Sequence, residues 1–181
     1  MKLLSTLISL SIFLLPTTFA QSTTTPSVNT VYADISTINS RVLALTAATQ
    51  SYSGGLVNQL PFLIDFGPLY LATRKGFYDS LLLPNPLTAS DAQLLISHVN
   101  ETLAINNPKA VEVVKSKKPL FDEAGTSPVV KEGLELLLFA HLGFSDEVAK
   151  RVKDAGQKAE GQRVIDVITV ALQDGIAFYS S

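Results

Sequence analysis

The sequence predicts an all-α fold, an antiparallel bundle of about five to six helices with room for a central apolar cavity. Three observations support this fold class. The long apolar segments repeat at spacings of three and four residues, which is the period of an α-helix. No Asn-Gly or Asp-Gly pair joins two alternating runs in the manner of a β-hairpin. Short connections between long amphipathic segments are typical of antiparallel bundles.

Residues 1–20 have the pattern of a secretory signal peptide. The positively charged Lys2 precedes an apolar run, and the TFA sequence at residues 18–20 is a small-x-small cleavage site. We expect residues 21–27 to form a flexible Ser/Thr-rich leader and residues 28–181 to form a single helical-bundle domain. We expect the mature protein to be secreted and extracellular. Free secretion is favoured over cell-wall association, because the closing residues have no spacer and apolar tail of a lipid-anchor signal.

The composition excludes several classes of partner. The chain has no cysteine, so its stability must come from packing rather than from disulfides. Without Lys2, 13 basic side chains remain against 16 acidic ones, a net charge of −3. This weak acidity argues against nucleic acid and against anionic membrane surfaces as partners. No segment after residue 20 is long and apolar enough to predict a transmembrane helix, and we expect a monomer.

The first helix is predicted from a single apolar seam between residues 28 and 52. The seam residues are Val28, Val31, Ile35, Ile38, Val42, Leu45, Thr49 and Tyr52. Their spacing alternates between three and four residues, which places them on one helical face. Asp34, Ser36 and Asn39 occupy outward positions. Gly54-Gly55 is expected to end the helix.

The segment from residue 56 to residue 81 is apolar around most of a helix. Wound at 100° per residue, Leu56, Leu60, Leu63, Ile64, Leu71, Tyr78 and Leu81 fall on one side. Phe62, Phe66, Tyr70 and Phe77 form a second stripe roughly 120° away. Pro68 is expected to kink the helix.

Two interpretations of the aromatic stripe remain open. The helix is either central, with neighbours packed on both sides, or it packs through one stripe while the aromatic stripe lines an apolar ligand site. Under the second interpretation Phe62, Phe66, Tyr70 and Phe77 are the candidate ligand-lining residues. Arg74 is then a candidate partner for a ligand carboxylate, although an ion pair with a nearby Asp is the alternative use.

The remaining helices are predicted from caps followed by apolar repeats. Thr88 is expected to cap the third, Asn107-Pro108 to begin the fourth, Ser127-Pro128 to begin another, and Ser145 to begin a short polar helix reaching about Gln157. The last helix is expected to hold the repeat from Val164 to Tyr179.

The sequence has few residues that suit catalysis. There are two histidines, and no HExxH, EF-hand loop, Gly-rich phosphate loop or nucleophile elbow occurs. His141 lies on the apolar side of its predicted helix and is interpreted as a core residue. We therefore predict no enzymatic activity, no metal and no cofactor. Asn100 begins an Asn-Glu-Thr sequon and is the candidate N-glycosylation site.

Four stretches of the chain resemble the fungal hydrophobic-surface-binding protein A family, also called cell-wall galactomannoproteins. They are VYADISTINSRVLALTAATQSYSGG, LATRKGFYDSLL, VVKSKKPLF and VIDVITVALQDGIAFYSS. The resemblance covers nearly all of residues 28–179. It implies a secreted helical bundle without enzymatic activity that adsorbs to hydrophobic surfaces or holds fatty acids among its helices.

The sequence therefore predicts a secreted, non-enzymatic glycoprotein that binds a hydrophobic ligand, such as a long-chain fatty acid or another lipid, or adsorbs to a hydrophobic surface. The alternative is a structural or antigenic cell-wall mannoprotein without a dedicated small-molecule ligand. An enzyme is the third and least supported class.

Overall fold

The computed structural model describes residues 28–56 and 60–181, without the side chains of residues 60–64. The predicted signal peptide and leader lie outside the described residues. The prediction of an all-α fold is confirmed, since the described residues contain helices and no strand. The helices are α1 (Val28–Ser51), α2 (Leu60–Ser80), α3 (Ala89–Glu101), α4 (Leu103–Ser116), α5 (Lys118–Glu123), α6 (Ser127–Ala149) and α7 (Ala155–Phe178). Six of them have 13 to 24 residues, whereas α5 has six.

Five of the long helices form a closed ring. α1 packs against α2 and α4, α7 packs against α4 and α6, and α2 packs against α6. α3 lies across one end of this ring and contacts α1, α4 and α7. The short α5 contacts α4 and α6. The core therefore lies inside the ring.

The seam of α1 faces this core, as predicted. Seven of its eight residues, from Val31 to Tyr52, are buried, and Val28 packs against them half-buried. The positive φ angles of Gly54 (98°) and Gly55 (83°) take the chain out of the helix, a conformation that glycine adopts without strain. The predicted outward position of Asp34 is wrong, because this residue is only 6% exposed.

The predicted core stripe of α2 is wrong. Leu71 and Tyr78, which were expected in the core, are 66% and 55% exposed. The buried residues of the described part of α2 are instead Leu69, Thr73, Gly76 and Ser80. The small side chains of Thr73, Gly76 and Ser80 allow close approach of the neighbouring helices, so the burial of these three residues follows packing distance rather than hydrophobicity.

Two predicted helix boundaries are also wrong. Asn107-Pro108 does not begin α4, which starts at Leu103 after a break at Thr102 (φ −123°, ψ −82°). Pro108 lies inside α4 rather than in its first turn, and the Asn107 side-chain amide donates to the Leu103 carbonyl at 3.1 Å. Ser145 does not begin a helix either, because α6 continues through it to Ala149.

The connection between α6 and α7 is fastened to the loop after α2. The guanidinium of the buried Arg151 donates to the carbonyls of Leu81 (2.9 Å) and Leu83 (3.3 Å), and it pairs with the Glu147 carboxylate. The Leu87 N–H donates to the Arg151 carbonyl at 3.0 Å. These bonds fix the end of the bundle where α3 crosses. Within the described ranges no helix combines the length and apolarity needed to span a membrane.

Candidate functional site

A cavity of about 240 Å³ lies under α3, at the end of the ring that α3 crosses. Most of its wall is apolar, and the largest contributions come from α3, α6 and α7. The lining residues are Ile35, Leu95, Ile96, Val99, Leu103, His141, Phe144, Ser145, Val148, Ala149, Val152, Gln157, Lys158, Gly161, Gln162, Val164, Ile165 and Ile168. The prediction of an apolar cavity within the bundle thus has a structural counterpart, although it lies towards one end.

The wall is built from one face of each contributing helix. On α6 the lining residues recur at three and four positions from His141 to Ala149, and on α7 they recur in the same way from Gln157 to Ile168. Asp154 caps α7 by accepting from the Gln157 N–H at 2.9 Å, which sets where this face begins. Gly161 adds to the space because it presents no side chain.

His141 is the polar residue set deepest in the wall. Its Nε2 lies 3.3 Å from the Ile165 carbonyl and 3.1 Å from the Thr169 hydroxyl, and its Nδ1 lies 3.3 Å from the Ser145 hydroxyl. Because a carbonyl only accepts hydrogen bonds, Nε2 carries the proton and Nδ1 accepts from Ser145. Burial lowers the pKa of His141 to about 4, so the ring is neutral near pH 7.

The mouth of the cavity is polar. Gln157, Lys158 and Gln162 line it from the first turns of α7, and both Lys158 and Gln162 are exposed. The Gln157 amide donates to the Ala89 carbonyl at 2.8 Å and so ties α7 to the start of α3. The Lys158 ammonium has no hydrogen bond or ion pair to any side chain that the structure describes.

The aromatic stripe of α2 is divided between packing and surface. The Phe66 ring lies against Gly133 of α6, and the Phe77 ring lies against Gly143. Tyr70 is half-buried, and the side chain of Phe62 lies outside the described residues. None of the described members lines the 240 Å³ cavity. Their assignment as ligand-lining residues stays a prediction, and Phe66 and Phe77 have a packing role that is sufficient to account for them.

Arg74 lies at the surface between α2 and α6. Its Cζ lies 5.0 Å from the centre of the Phe77 ring, 5.1 Å from that of Tyr78 and 5.8 Å from that of Phe139, and its Nη2 donates to the Tyr78 hydroxyl at 3.0 Å. It does not line the cavity, and it forms no ion pair with a carboxylate of the described residues. The predicted role of Arg74 as a carboxylate partner remains untested, and the ion-pair alternative is wrong for the described part of the chain.

Asn100 and the second histidine, His98, both lie on α3. Asn100, the candidate glycosylation site, is half-buried near the end of α3, and its side-chain oxygen accepts from Arg163 at 3.0 Å. His98 stacks on Tyr32 at 3.8 Å between ring centres, and its Nε2 lies 2.7 Å from the Ser36 hydroxyl. No group of three or more potential metal ligands occurs within the ranges that the structure describes.

Sequence reasoning missed most of the cavity wall. Ser145 and Gln157 were assigned to the start and the end of a short polar helix, and neither they nor Lys158 were considered as part of a site. The D-x-x-Q pattern from Asp154 to Gln157 is the signal that places the start of α7 correctly. No local pattern indicates the cavity itself, because its wall combines Ile35 with residues 95–103 and residues 141–168, three stretches that are far apart in the sequence.

Comparison with known proteins identifies one matching protein family and several solved structures with the same fold. The family model described as HsbA, hydrophobic surface binding protein A, matches residues 28–150. This range spans α1 to α6 and leaves α7 outside. No curated protein matches the chain at a significant level.

Solved structures share the fold over most of this chain. The crystal structure of Afmp4p in complex with palmitic acid has a TM-score of 0.79 at 21% identity, covering 84% of this chain and 99% of that one. Ligand binding domain 1 of the Penicillium marneffei MP1 protein, complexed with arachidonic acids, has a TM-score of 0.77 at 23% identity, with coverages of 85% and 99%. Ligand binding domain 2 of that protein, complexed with multiple arachidonic acids, has a TM-score of 0.75 at 22% identity, with coverages of 82% and 93%. Since the family model matches more than half of its residues, this chain belongs to the hydrophobic surface binding protein A family.

Proposed function

We propose that this chain is a secreted, non-enzymatic protein that binds a long-chain fatty acid in the cavity under α3. The observation that carries the proposal is a largely apolar space of about 240 Å³ lined mainly by α3, α6 and α7 and open to solvent at its mouth. Apolar cavities between bundle helices are a usual location for hydrophobic ligands. The fatty acids bound by Afmp4p and by the MP1 domains, which share this fold, support the choice of ligand class.

The polar groups of the wall suit binding rather than catalysis. The His141 ring is held through both nitrogens by Ser145, Thr169 and the Ile165 carbonyl. Among the described residues no carboxylate forms a hydrogen bond with this ring, and Ser145 donates to it as a helical neighbour four residues away. The signal-peptide pattern of residues 1–20 supports secretion.

The size of the cavity sets a condition on binding. Pockets for small ligands usually measure about 300 to 1,000 Å³. A long acyl chain therefore requires wall side chains to move, or it extends through the mouth between α3 and α7. Burying 14 methylenes contributes about 11 kcal/mol at about 0.8 kcal/mol each, and association costs at least about 4 kcal/mol. The remainder, at most about 7 kcal/mol, corresponds to a Kd of about 10 μM or weaker before any polar contact.

Native mass spectrometry of protein purified from a secreting host tests this proposal. We expect a bound species with the mass of one long-chain fatty acid, and we expect delipidated protein to regain one palmitate. Val99→Phe, which places a ring in the cavity, is expected to lower palmitate occupancy at least about five-fold. Val129→Phe is the matched control, since Val129 is 50% exposed and does not line the cavity. A clean apo mass that survives excess palmitate, or equal occupancy in both variants, contradicts the proposal.

Adsorption to hydrophobic surfaces is the second candidate function. It is favoured by the family description and by an exposed apolar face that Leu71, Arg74 and Tyr78 of α2 form with Phe139 of α6. We name this the α2–α6 face. Leu71 and Phe139 are 66% and 64% exposed, so both side chains are accessible to a hydrophobic surface.

A further inference from the structure

We propose that Lys158 anchors the carboxylate of the ligand at the mouth of the cavity, so that a fatty acid binds with its acid group at the solvent boundary and its tail inward. The inference rests on the proposed function and assigns an orientation to the ligand. It names a positive side chain that differs from Arg74, the residue that the sequence suggested.

The first step is the identity of the cation. Most lysines and arginines of the described residues are already engaged with carboxylates, carbonyls or a ring. Those whose side chains form no hydrogen bond or ion pair among the described residues are Arg41, Lys109, Lys153 and Lys158. Within this set only Lys158 lines the cavity. It is therefore available to a ligand without breaking an existing contact.

The second step is the position of Lys158. The residue is exposed and also lines the cavity, so its side chain stands where the cavity meets solvent. A lysine stem can lie along an apolar wall while its ammonium stays hydrated. A carboxylate bound there keeps part of its hydration and avoids the large cost of burying a charge.

The third step excludes the interior as the place for the acid group. The deep polar group is His141 with Ser145 and Thr169. The His141 Nε2 proton is directed to Ile165 and Thr169, the Thr169 hydroxyl donates to the Ile165 carbonyl at 2.9 Å, and the Ser145 proton is directed to Nδ1. No donor is left over for a carboxylate. Since the pKa of His141 is lowered to about 4, the ring offers no positive charge near pH 7.

The tail side of the site agrees with this orientation. Leu95, Val99 and Ile168 belong to the same wall as Lys158, and they are apolar. A fatty acid that enters tail first therefore places only its apolar acyl chain against this wall, and no hydrogen bond of its carboxylate is lost. The reverse orientation places a carboxylate among these side chains without a partner, which is unfavourable.

Isothermal titration calorimetry on the delipidated mature chain tests the anchor with palmitate and with methyl palmitate, which has the same tail and no charge. The variants are Lys158→Gln and Lys158→Glu. Because Lys158 is exposed and its ion pair is screened, we expect Lys158→Gln to weaken palmitate binding about two- to five-fold and Lys158→Glu to weaken it further. Methyl palmitate binding is expected to change less than about two-fold. Lys153→Gln is the matched control, an exposed, unpaired lysine of the α6–α7 connection that does not line the cavity.

Three results overturn the anchor. If both Lys158 variants bind palmitate as tightly as the wild-type chain does, Lys158 is not the anchor, and the proposed function is unaffected. An equal loss for palmitate and its methyl ester shows that Lys158 acts through packing of its stem. Absence of binding of either ligand by the wild-type chain refutes the proposed function together with the anchor.

Discussion

At the scale of single residues, His141 lines the cavity and also makes the stability of the bundle depend on pH. A buried neutral histidine resists protonation, because the charged form loses its hydration. Its pKa is lowered from 6.5 to about 4 in the folded chain. Between these two values the unfolded chain binds more protons than the folded chain. The contribution of His141 to stability is therefore complete above about pH 6.5 and is lost as the pH falls towards 4.

His141→Gln removes this titration. We expect the wild-type chain to lose about 3 kcal/mol more free energy of unfolding than the variant between pH 7 and pH 4. Urea unfolding followed by circular dichroism at four pH values measures the difference. His98→Gln is the control, for which we expect a smaller effect, since burial lowers the pKa of a half-buried ring that stacks on Tyr32. Parallel pH curves for the wild-type chain and His141→Gln contradict the assignment.

Asp34 shows where a prediction from hydrophobicity fails for one residue. The helical seam of α1 was read correctly, yet Asp34 beside Ile35 is buried against α2. Its carboxylate accepts from the Lys75 ammonium at 2.7 Å, and the same ammonium reaches Asp79 at 2.6 Å. Burial raises the pKa of Asp34, and the hydrogen bond from Lys75 opposes that effect. The partner lies 41 residues away, so no local pattern in α1 announces it.

At the scale of elements, helical periods and the cap of α3 were predictable, whereas the cap-based starts at Asn107 and Ser145 were wrong and close packing was not predicted. Thr88 caps α3 as expected, with the Asp91 N–H donating to its hydroxyl at 3.1 Å. The misread element is α2, where the small residues Thr73, Gly76 and Ser80 are buried while larger neighbours are exposed. Hydrophobic periodicity ranks residues by size and polarity. It therefore misses a helix that approaches its neighbours through small side chains.

Gly175 of α7 makes such a close approach and yields a prediction. A Cβ at this position would lie 2.9 Å from Val111 Cγ1 and 3.1 Å from Leu134 Cδ1. Overpacking typically costs about 1 to 3 kcal/mol, which outweighs the gain in helix propensity of about 1 kcal/mol. We expect Gly175→Ala to lower the free energy of unfolding by about 1 kcal/mol, because a β-branched valine in a helix has little freedom to move.

The control for this prediction lies on the same helix. At Gly161 an added Cβ would meet Ile96 at 3.6 Å, an ordinary contact. We expect Gly161→Ala to be neutral or stabilising by up to about 1 kcal/mol. Chemical unfolding of both variants measures the contrast. If Gly175→Ala is as stable as Gly161→Ala, the bundle is looser at Gly175 than its geometry indicates.

At the scale of the whole molecule, a ring of five helices provides two apolar features. One is the cavity under α3, and the other is the α2–α6 face on the outside. The sequence predicted the helical bundle and the binding of a hydrophobic ligand or surface. It placed the apolar site on the aromatic stripe of α2 and did not separate an internal cavity from an external face. The distinction depends on which helices become neighbours around the ring. The direct contact between α2 and α6, which are separated by three other helices in the chain, is the decisive fact.

The two features make separable predictions, because the α2–α6 face does not line the cavity. We expect the double variant Leu71→Ser/Phe139→Ser to adsorb to polystyrene beads at least about five-fold less than the wild-type chain, since each large apolar side chain contributes up to about 1.5 to 3 kcal/mol when it leaves water. Palmitate binding by the double variant is expected to be unchanged. The control is Leu43→Ser/Val170→Ser, which removes two exposed apolar side chains that lie outside the face. Equal adsorption by the two double variants means that adsorption follows total apolar exposure, and a loss of palmitate binding in the face variant means that the face and the cavity act as one site.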